Sequence, residues 1–317
     1  MGQLINEFTW SASRHKLFAD CRRAYYYCYY GAWGGWDEGA APRTRRLYRL
    51  KNVKTLDMWA GSLVHETLAE ALRRFSMKGA PITAGELQAN ARIKLRAGWV
   101  EAVNRDWERY PKKTNLWELY YGNGKSLPPE KTERIKGKVN DCLAAFADSE
   151  ILKEILSVSY LAWKPIDKLD TFQNDGLKVW CALDFAFTDP AGILRILDWK
   201  TGGEDVDAIR LQLACYTFYA VEKWLVQMEN VQVCGVFLKD GARVQAYPCS
   251  PEILVEARDK MLTSAAAMRS LLADPEANTP KEEDAFALCD DTRSCGRCNY
   301  REACPRFADA APPAGNG

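Results

Sequence analysis

The stretch Gly192-Ile193-Leu194-Arg195-Ile196-Leu197-Asp198-Trp199-Lys200 decides the fold of this chain. Its branched apolar run, opened by a glycine and followed by Gly202-Gly203, is typical of a β-strand. Side chains alternate along a strand that rises about 3.3 Å per residue, so Asp198 and Lys200 share one face, roughly 6 to 7 Å apart at Cα. Trp199 then points the other way, into packing. The sequence predicts a carboxylate and an ammonium side by side at the end of a strand.

A second strand is predicted just upstream, from Lys178 to Phe187, and it contains Asp184. The segment Asp189-Pro190-Ala191-Gly192 is a turn signal that folds the two strands side by side, which brings Asp184 within reach of Asp198. Two converging carboxylates suit a hard divalent cation such as Mg²⁺, and Lys200 can orient one of its waters. The competing interpretation is an exposed hairpin with scattered charges, because Asp and Lys are common at strand ends.

Asp184, Asp198 and Lys200, with Thr201-Gly202 after them, resemble the PD-(D/E)XK nuclease superfamily in its RecB-like exonuclease branch. The proline of the family's name is Leu183 here. That departure matters little, because the aspartate carries the chemistry.

Two further segments resemble the same branch. Leu211-Gln212-Leu213-Ala214-Cys215-Tyr216 is similar to its Q-x-x-x-Y motif, and helical spacing places Gln212 and Tyr216 on one face. Gly61-Ser62-Leu63-Val64-His65-Glu66 resembles its helix with a metal-binding histidine. Both have plainer interpretations, because a histidine beside an apolar stripe is usually packed and a tyrosine at i+4 is ordinarily half buried. We favour His65 as a ligand, since it falls at the family's position.

The resemblance implies a metal-dependent nuclease. Mg²⁺ or Mn²⁺ would stabilise the developing phosphate charge, Lys200 would position the attacking water, and Gln212 would brace the lysine or touch DNA. The implied metal ligands are His65, Asp184, Asp198 and the backbone carbonyl of Trp199. The implied catalytic residues are Asp184, Asp198, Lys200, Gln212 and Tyr216.

Cysteines near both ends of the chain form a second motif. Cys295 and Cys298 are followed by Cys304 in a C-x-x-C-x5-C spacing, and three thiolates this close usually share a metal. Cys21 is the best candidate for a fourth ligand. Cys28 and Cys289 are the alternatives, because they lie seven residues after Cys21 and six residues before Cys295.

This arrangement resembles the iron-sulfur members of the RecB-like branch, which include the nuclease subunit of AddAB-type helicase complexes and the CRISPR-associated exonucleases. The resemblance implies a [4Fe-4S] cluster held by Cys21, Cys295, Cys298 and Cys304, which would tie the first helix to the C-terminal segment. Zinc remains the alternative metal, since four thiolates suit it as well. Disulfides are disfavoured, because eleven cysteines without a secretory signal indicate a reducing compartment.

The composition of the chain is that of an intracellular enzyme. Its 317 residues are 47% hydrophobic and 27% charged, without a transmembrane run or a signal peptide, so we expect a cytoplasmic protein and no membrane partner. A net charge of +1 means that nucleic acid would have to bind local basic groups. Two such groups are candidates for phosphate contacts: Arg43, Arg45, Arg46, Arg49, Lys51 and Lys54, and Lys131, Arg134, Lys136 and Lys138.

The order of predicted elements indicates an α/β fold. A helix from about Ser11 to Gly31 opens a helical N-terminal portion, and strands follow from about 158 to 200, 231 to 238 and 242 to 248. We expect a restriction-endonuclease-like mixed sheet flanked by helices, with the iron-sulfur clasp joining the termini. The predicted organisation is a single nuclease domain over 1–307, with a helical insertion at about 77–150, a cysteine cluster region at 289–304 and a disordered tail at 308–317.

The leading functional prediction is a DNA nuclease, an exonuclease on single strands or DNA ends. The chain has no G-x-x-x-x-G-K-[ST] loop, so strand separation would need a helicase partner, and an integrase or recombination partner is equally compatible. The alternatives are a non-catalytic DNA-binding or scaffold subunit of such a complex and a zinc-stabilised interaction module. Polarity, exonuclease against endonuclease action, DNA against RNA and the oligomeric state are left open.

Overall fold

The computed structural model describes residues 4–122, 126–203 and 206–308, without the side chains of 206–208. The α-helices of these ranges are α1 (Ala12–Asp20), α2 (Arg22–Tyr26), α3 (Pro42–Lys51), α4 (Leu56–Lys78), α5 (Ala84–Val103), α6 (Trp117–Tyr120), α7 (Pro129–Ala147), α8 (Glu150–Ser157), α9 (Val206–Trp224) and α10 (Pro251–Arg269). The strands are β1 (Val53–Lys54), β2 (Asn115–Leu116), β3 (Lys168–Asn174), β4 (Leu177–Leu183), β5 (Phe185–Thr188), β6 (Leu194–Lys200), β7 (Val231–Phe237), β8 (Arg243–Tyr247), β9 (Leu272–Asp274) and β10 (Thr279–Pro280).

The predicted strand that ends in Lys200 is the interior strand β6 of a four-stranded mixed sheet. The strand order is β5-β6-β7-β8, with β6 antiparallel to β5 and parallel to β7. Five of its seven residues are buried, as expected for a strand covered on both faces. The mixed α/β class expected from the sequence is therefore present.

The turn between β5 and β6 forms as its sequence predicts. Asp189 Oδ1 accepts hydrogen bonds from the backbone N–H groups of Ala191 and Ile193, both at 2.9 Å. Gly192 has a φ of 84°, a backbone conformation that glycine adopts without steric cost. These contacts set the hairpin that carries the two predicted carboxylates.

The single strand predicted from Lys178 to Phe187 was wrong, because its two halves bond to different partners. β4 ends at Leu183 and pairs with β3 in a separate two-stranded sheet. β5 begins at Phe185 and pairs with β6. Asp184 forms the bend between them, so it lies where the chain passes from one sheet to the other.

Helices cover both sides of the four-stranded sheet. On one side, α9 and α10 pack with α1 in a core that includes Ile196, Tyr216 and Met261. On the other side, Trp199 packs edge-on against Phe146 of α7, with ring centroids 5.2 Å apart. The helices of the predicted insertion at 77–150 thus share a core with α4 and the sheet.

The predicted helix from Ser11 to Gly31 is interrupted at Cys21. Ser11 caps α1 as expected, since its side chain accepts from the Arg14 N–H. Cys21 has an extended backbone conformation, and its Sγ accepts from the Ala24 N–H at 3.5 Å, so it ends α1 and caps α2. A π-helix over Tyr27–Gly31 completes the segment. The continuous helix was wrong because Cys21 serves as a cap.

The C-terminal segment packs back onto this N-terminal segment. Arg23, which is buried, donates from Nε to the Phe286 carbonyl at 2.9 Å and pairs with Glu283 and Asp284. The ring centroids of Tyr27 and Tyr300 are 5.4 Å apart. Tyr27 therefore packs against the segment that contains the C-terminal cysteines. Most of the predicted tail, residues 309–317, lies outside the described residues. Among the described helices, none is long and apolar enough to cross a membrane.

Candidate active site and cysteine cluster

The β5–β6 hairpin brings Asp184 and Asp198 together, as the sequence predicts. Asp184 Oδ2 accepts a hydrogen bond from the backbone N–H of Trp199 at 2.8 Å, one residue beyond Asp198. The Asp198 side chain is 4% exposed and that of Asp184 is 13% exposed. The two carboxylates thus flank one peptide group at the end of the interior strand.

His65 reaches this hairpin from the middle of α4. Its Nδ1 lies 2.8 Å from Asp184 Oδ1, so the histidine is in the site and not merely packed in the helical core. One turn earlier on α4 stands Gly61, where a Cβ atom would meet Thr201 Oγ1 at 3.0 Å. The absence of a side chain at Gly61 allows α4 to approach the end of β6 closely.

Lys200, Gln212 and Tyr216 complete the site. Lys200 pairs with Asp198 and donates to Gln212 Oε1 at 2.9 Å. Gln212 Nε2 lies 3.1 Å from Asp198 Oδ1 and 2.7 Å from the Tyr216 hydroxyl. That hydroxyl is 2.9 Å from Asp198 Oδ1 and 2.7 Å from the Ala182 carbonyl. Because it has a single proton, it donates a hydrogen bond to one of these two acceptors at a time. Asp198, Lys200, Gln212 and Tyr216 therefore form one hydrogen-bonded group, which Asp184 adjoins through the Trp199 N–H.

The electrostatics of this group reflect its burial. Burial, reinforced by the Asp184 carboxylate, raises the pKa of Asp198, and the Lys200 ammonium partly offsets this. Burial by itself lowers the pKa of His65, but the Asp184 carboxylate outweighs it and raises that pKa to about 9. Burial and the Asp198 carboxylate raise the pKa of Tyr216, which therefore stays a neutral phenol. Two carboxylates thus share a poorly hydrated site with only two cationic partners.

The donor set fits a hard divalent cation. Asp198 Oδ2 is buried, and its partner among the described residues is the Lys200 ammonium. Buried carboxylate oxygens beside a histidine are ligands that suit a hard divalent cation. His65 pairs with Asp184 and Lys200 with Asp198, and no group of three His, Cys, Asp or Glu side chains in the described ranges is arranged to hold a metal. The Trp199 carbonyl stays a predicted ligand.

The predicted cysteine ligands also come together. Cys21, Cys295, Cys298 and Cys304 line one cavity of about 470 Å³ between α2 and the C-terminal turns. Burial raises the pKa of Cys298 to about 11; the Tyr300 N–H opposes this as the next largest effect, and the neighbouring thiols Cys21, Cys304 and Cys295 each add a smaller increase. Such mutual repulsion is what a bound cation relieves, so the cavity fits a thiolate-held metal.

A further cysteine belongs to the same cavity. Cys289 Sγ lies 3.5 Å from Cys295 Sγ, and burial together with Cys295 and Cys21 raises the pKa of Cys289 to about 12. Cys28 lines the cavity too, but it interacts with Tyr300 and Tyr29. Of the two alternatives open at the sequence level, Cys289 is the one beside the predicted ligands. Its position six residues before Cys295 was the available signal.

The two basic groups are engaged within the chain to a large extent. Arg43 pairs with Glu283 at 2.5 Å and Arg46 with Glu302 at 3.5 Å, which ties α3 to the C-terminal segment. In the second group, Arg134 and Lys138 both pair with a single carboxylate of α4, Asp57. These four side chains therefore serve internal ion pairs.

A family model described as the PD-(D/E)XK nuclease superfamily matches residues 9–305, so the chain belongs to this superfamily. The matched range contains every residue of the two sites. Members are generally metal-dependent nucleases, and the family implies DNA as the substrate. A search of curated proteins finds no match.

Proposed function

We propose that the protein is a Mg²⁺- or Mn²⁺-dependent deoxyribonuclease of the RecB-like branch, an exonuclease that hydrolyses phosphodiester bonds in single-stranded DNA or at DNA ends. The observation that carries the proposal is the contact network in which Gln212 joins Lys200 to Asp198. An accidental Asp-x-Lys match in an exposed hairpin would not bury Asp198 or surround it with three donor side chains.

Each side chain has a definite task in this proposal. His65, Asp184, Asp198 and the Trp199 carbonyl hold the metal, which when bound stabilises the charge that develops on the phosphate. Lys200 donates a hydrogen bond to the attacking water and orients it. Gln212 fixes the lysine through its Oε1 atom, 2.9 Å away, and the Tyr216 hydroxyl fixes Asp198. Preorganised contacts of this kind lower the barrier because they need no rearrangement during the reaction.

The proposal extends to the cysteine cavity. Cys21, Cys295, Cys298 and Cys304 would bind a [4Fe-4S] cluster that joins α2 to the C-terminal turns, with zinc as the alternative metal. The support is that one cavity of about 470 Å³ is lined by all four thiols. Metal and sulfide analysis of anaerobically purified protein separates the two, because zinc brings neither iron nor sulfide.

The cleavage test compares wild type with Asp198→Ala and Lys200→Ala on labelled single-stranded and double-stranded DNA, with Mg²⁺, Mn²⁺ or EDTA. We expect at least a roughly 10³-fold loss of rate in both variants and none in the control Asp141→Ala, an exposed carboxylate of α7. Circular single-stranded DNA should resist an exonuclease. Equal cleavage by all four proteins would contradict the assignment. Tight DNA binding by a wild type that never cleaves would instead support a scaffold subunit, which acts with a helicase, integrase or recombination partner.

A further inference from the structure

One face of β4, the strand that leads to Asp184, is exposed to solvent. Its exposed side chains have no role in the proposed hydrolysis. Along β4 the side chains alternate, so that Trp180 and Ala182 are exposed while the residues on either side of each are buried. Asp184 is the next residue of this alternate series, at the bend that follows β4. With a rise of about 3.3 Å per residue, Trp180 lies roughly 13 Å before Asp184 at Cα.

The neighbouring strand extends this face with a second apolar side chain. In the β3–β4 register Leu169 is opposite Ala182, and Thr171 is opposite Trp180. Leu169 is 64% exposed and Trp180 is 37% exposed, so a leucine and an indole face solvent on the strand pair that leads to Asp184. Adjacent exposed apolar side chains on a sheet face indicate a surface that a ligand covers.

This face is the floor of a groove that ends at the catalytic residues. The groove has a volume of about 530 Å³, with α1 as one wall, and it contains Leu169, Trp180 and Ala182. At its inner end lie Gln212 and Tyr216, both of which contact Asp198. We call it the Trp180 groove. Gln212 and Tyr216 therefore connect the groove to Asp198, one of the proposed metal ligands.

The charged side chains of the groove favour an anionic occupant. Lys16 and Lys260 line it, and a small cavity next to it is lined by Arg210, Glu256 and the same Lys260. Asp20 is the acidic lining residue, and it pairs with Lys16 at 3.5 Å. Among the described residues neither Lys260 nor Arg210 has an ion-pair partner, so both cations are available to phosphates.

We propose that the Trp180 groove binds a single strand of DNA on its way to the catalytic residues, with one unpaired base stacked on Trp180 and backbone phosphates beside Lys260 and Arg210. The inference rests on the proposed nuclease function and names the surface that selects its substrate. An indole stacks on any base, but only when the base is free of its duplex partner. The groove therefore favours single-stranded over duplex DNA and does not select a base sequence.

The experiment measures binding and cleavage separately. Binding of a fluorescently labelled oligothymidylate is followed by anisotropy in the Asp198→Asn background, which prevents cleavage. Trp180→Ala is compared there with Trp180→Phe, which keeps a ring, and with Trp33→Ala, whose tryptophan is equally exposed at 38% but lies outside the groove. Cleavage of the same oligonucleotide and of bis-p-nitrophenyl phosphate, which carries no base, is measured in the background with Asp198 intact.

We expect Trp180→Ala to weaken oligonucleotide binding about 5- to 100-fold and to raise KM similarly while kcat changes less than about twofold. Trp180→Phe should restore most of the binding, and hydrolysis of the small diester should be unaffected by either change. Lys260→Gln should reduce the slope of log Kd against log salt by about 1, as expected for one lost phosphate contact.

Equal binding by Trp180→Ala and Trp33→Ala would overturn the groove inference and leave the nuclease proposal standing. An equal loss of binding to blunt duplex and to single strands would overturn it as well, because stacking needs an unpaired base. If wild type cleaves neither substrate, the nuclease proposal fails, yet the anisotropy arm still reports whether Trp180 binds DNA.

Discussion

The catalytic group and the cysteine cavity each gather ligands for a positive charge, but they are built differently. The catalytic side chains project from regular elements, except Asp184 at the bend between β4 and β5, and protein donors orient them: the Trp199 N–H holds Asp184 and the Tyr216 hydroxyl holds Asp198. The cysteines lie on short 3-10 turns and at the start of α2, where the contacts are weak. Cys21 Sγ accepts from the Ala24 N–H at 3.5 Å, and Cys298 Sγ accepts from the Tyr300 N–H at 3.4 Å.

Because of this difference, the metals proposed for the two regions would have different roles. Protein donors orient the catalytic carboxylates, so we expect the metal proposed for them to serve chemistry more than folding. The thiols of the cysteine cavity have few orienting contacts, so we expect the metal proposed there to hold the segment in place. Loss of metal should therefore abolish activity at the first region and stability at the second.

Cys298→Ser tests whether a metal stabilises the cysteine region. Among these predictions, it should have the largest effect. Loss of one ligand should more than halve the bound iron or zinc and lower the free energy of unfolding by about 3 kcal/mol or more, a fall in Tm of about 5 to 10 °C. Metal analysis and thermal unfolding measure both. The matched control is Cys249→Ser, a half-buried cysteine bonded to Thr217 Oγ1 at 3.3 Å, where serine can keep the contact. Full metal content and unchanged Tm in Cys298→Ser would remove the distinction between the regions.

Gln212→Ala tests whether the side chains of the catalytic group serve the reaction more than the fold. It deletes the amide between Lys200 and Asp198, so kcat should fall about 10- to 100-fold while Tm changes by less than about 2 °C. Steady-state kinetics on single-stranded DNA and thermal unfolding check the two expectations. Gln232→Ala, at an exposed position of β7, is the control and should retain full activity. A large fall in Tm with normal kcat would mean that Gln212 serves the fold and not the reaction.

Much of the catalytic group follows from local sequence signals. The turn at Asp189 to Gly192 and the apolar run of β6 place Asp198 and Lys200 without further information, and the Ser11 cap marks the start of α1. These features depend on neighbours a few residues away, which a sequence displays directly.

The rest depends on partners far along the chain. The change of sheet at Asp184 reflects pairing with β3 on one side and β6 on the other, which no local pattern contains. Arg43 and Arg46 were candidates for phosphate contacts because their acidic partners, Glu283 and Glu302, are more than 200 residues away. Non-local ion pairs are invisible to charge counting, and the sequence therefore overstates the basic surface of α3.

Arg23→Ala tests whether contacts between protein groups, in addition to the proposed metal, stabilise the cysteine region. The buried guanidinium binds the Phe286 carbonyl, Glu283 and Asp284, so its removal takes a donor from that carbonyl and a cation from Glu283, which keeps Tyr27 and Arg43 as partners. The free energy of unfolding should fall by about 1 to 3 kcal/mol. The neighbouring Arg22→Ala removes an exposed guanidinium and is the control, with an expected change within about 0.5 kcal/mol. If the two variants are equally stable, the contacts of Arg23 do not help to hold the segment.

Asp57 lies in the helical layer, apart from both regions, and should show the smallest effect. The two hydrogen bonds from Arg134 to its carboxylate, with Lys138 as a further donor, lower the pKa of Asp57 from 3.8 to about 2. A depressed pKa in the folded state means that the ion pair stabilises the protein above pH 3.8, and that this contribution disappears as the pH falls towards 2. Because the carboxylate is 38% exposed, solvent screening limits it to about 1 kcal/mol or less.

Asp57→Asn should therefore lower Tm slightly at pH 7 and leave it unchanged near pH 2, as measured by thermal unfolding across that range. Asp141→Asn, on the same helix as Arg134 but without an ion pair among the described residues, should show no difference from wild type at either pH. A gap between Asp57→Asn and wild type that persists at low pH would mean that the asparagine disturbs packing between α4 and α7. Stability in this layer would then depend on shape more than on charge, unlike the stability of the cysteine region.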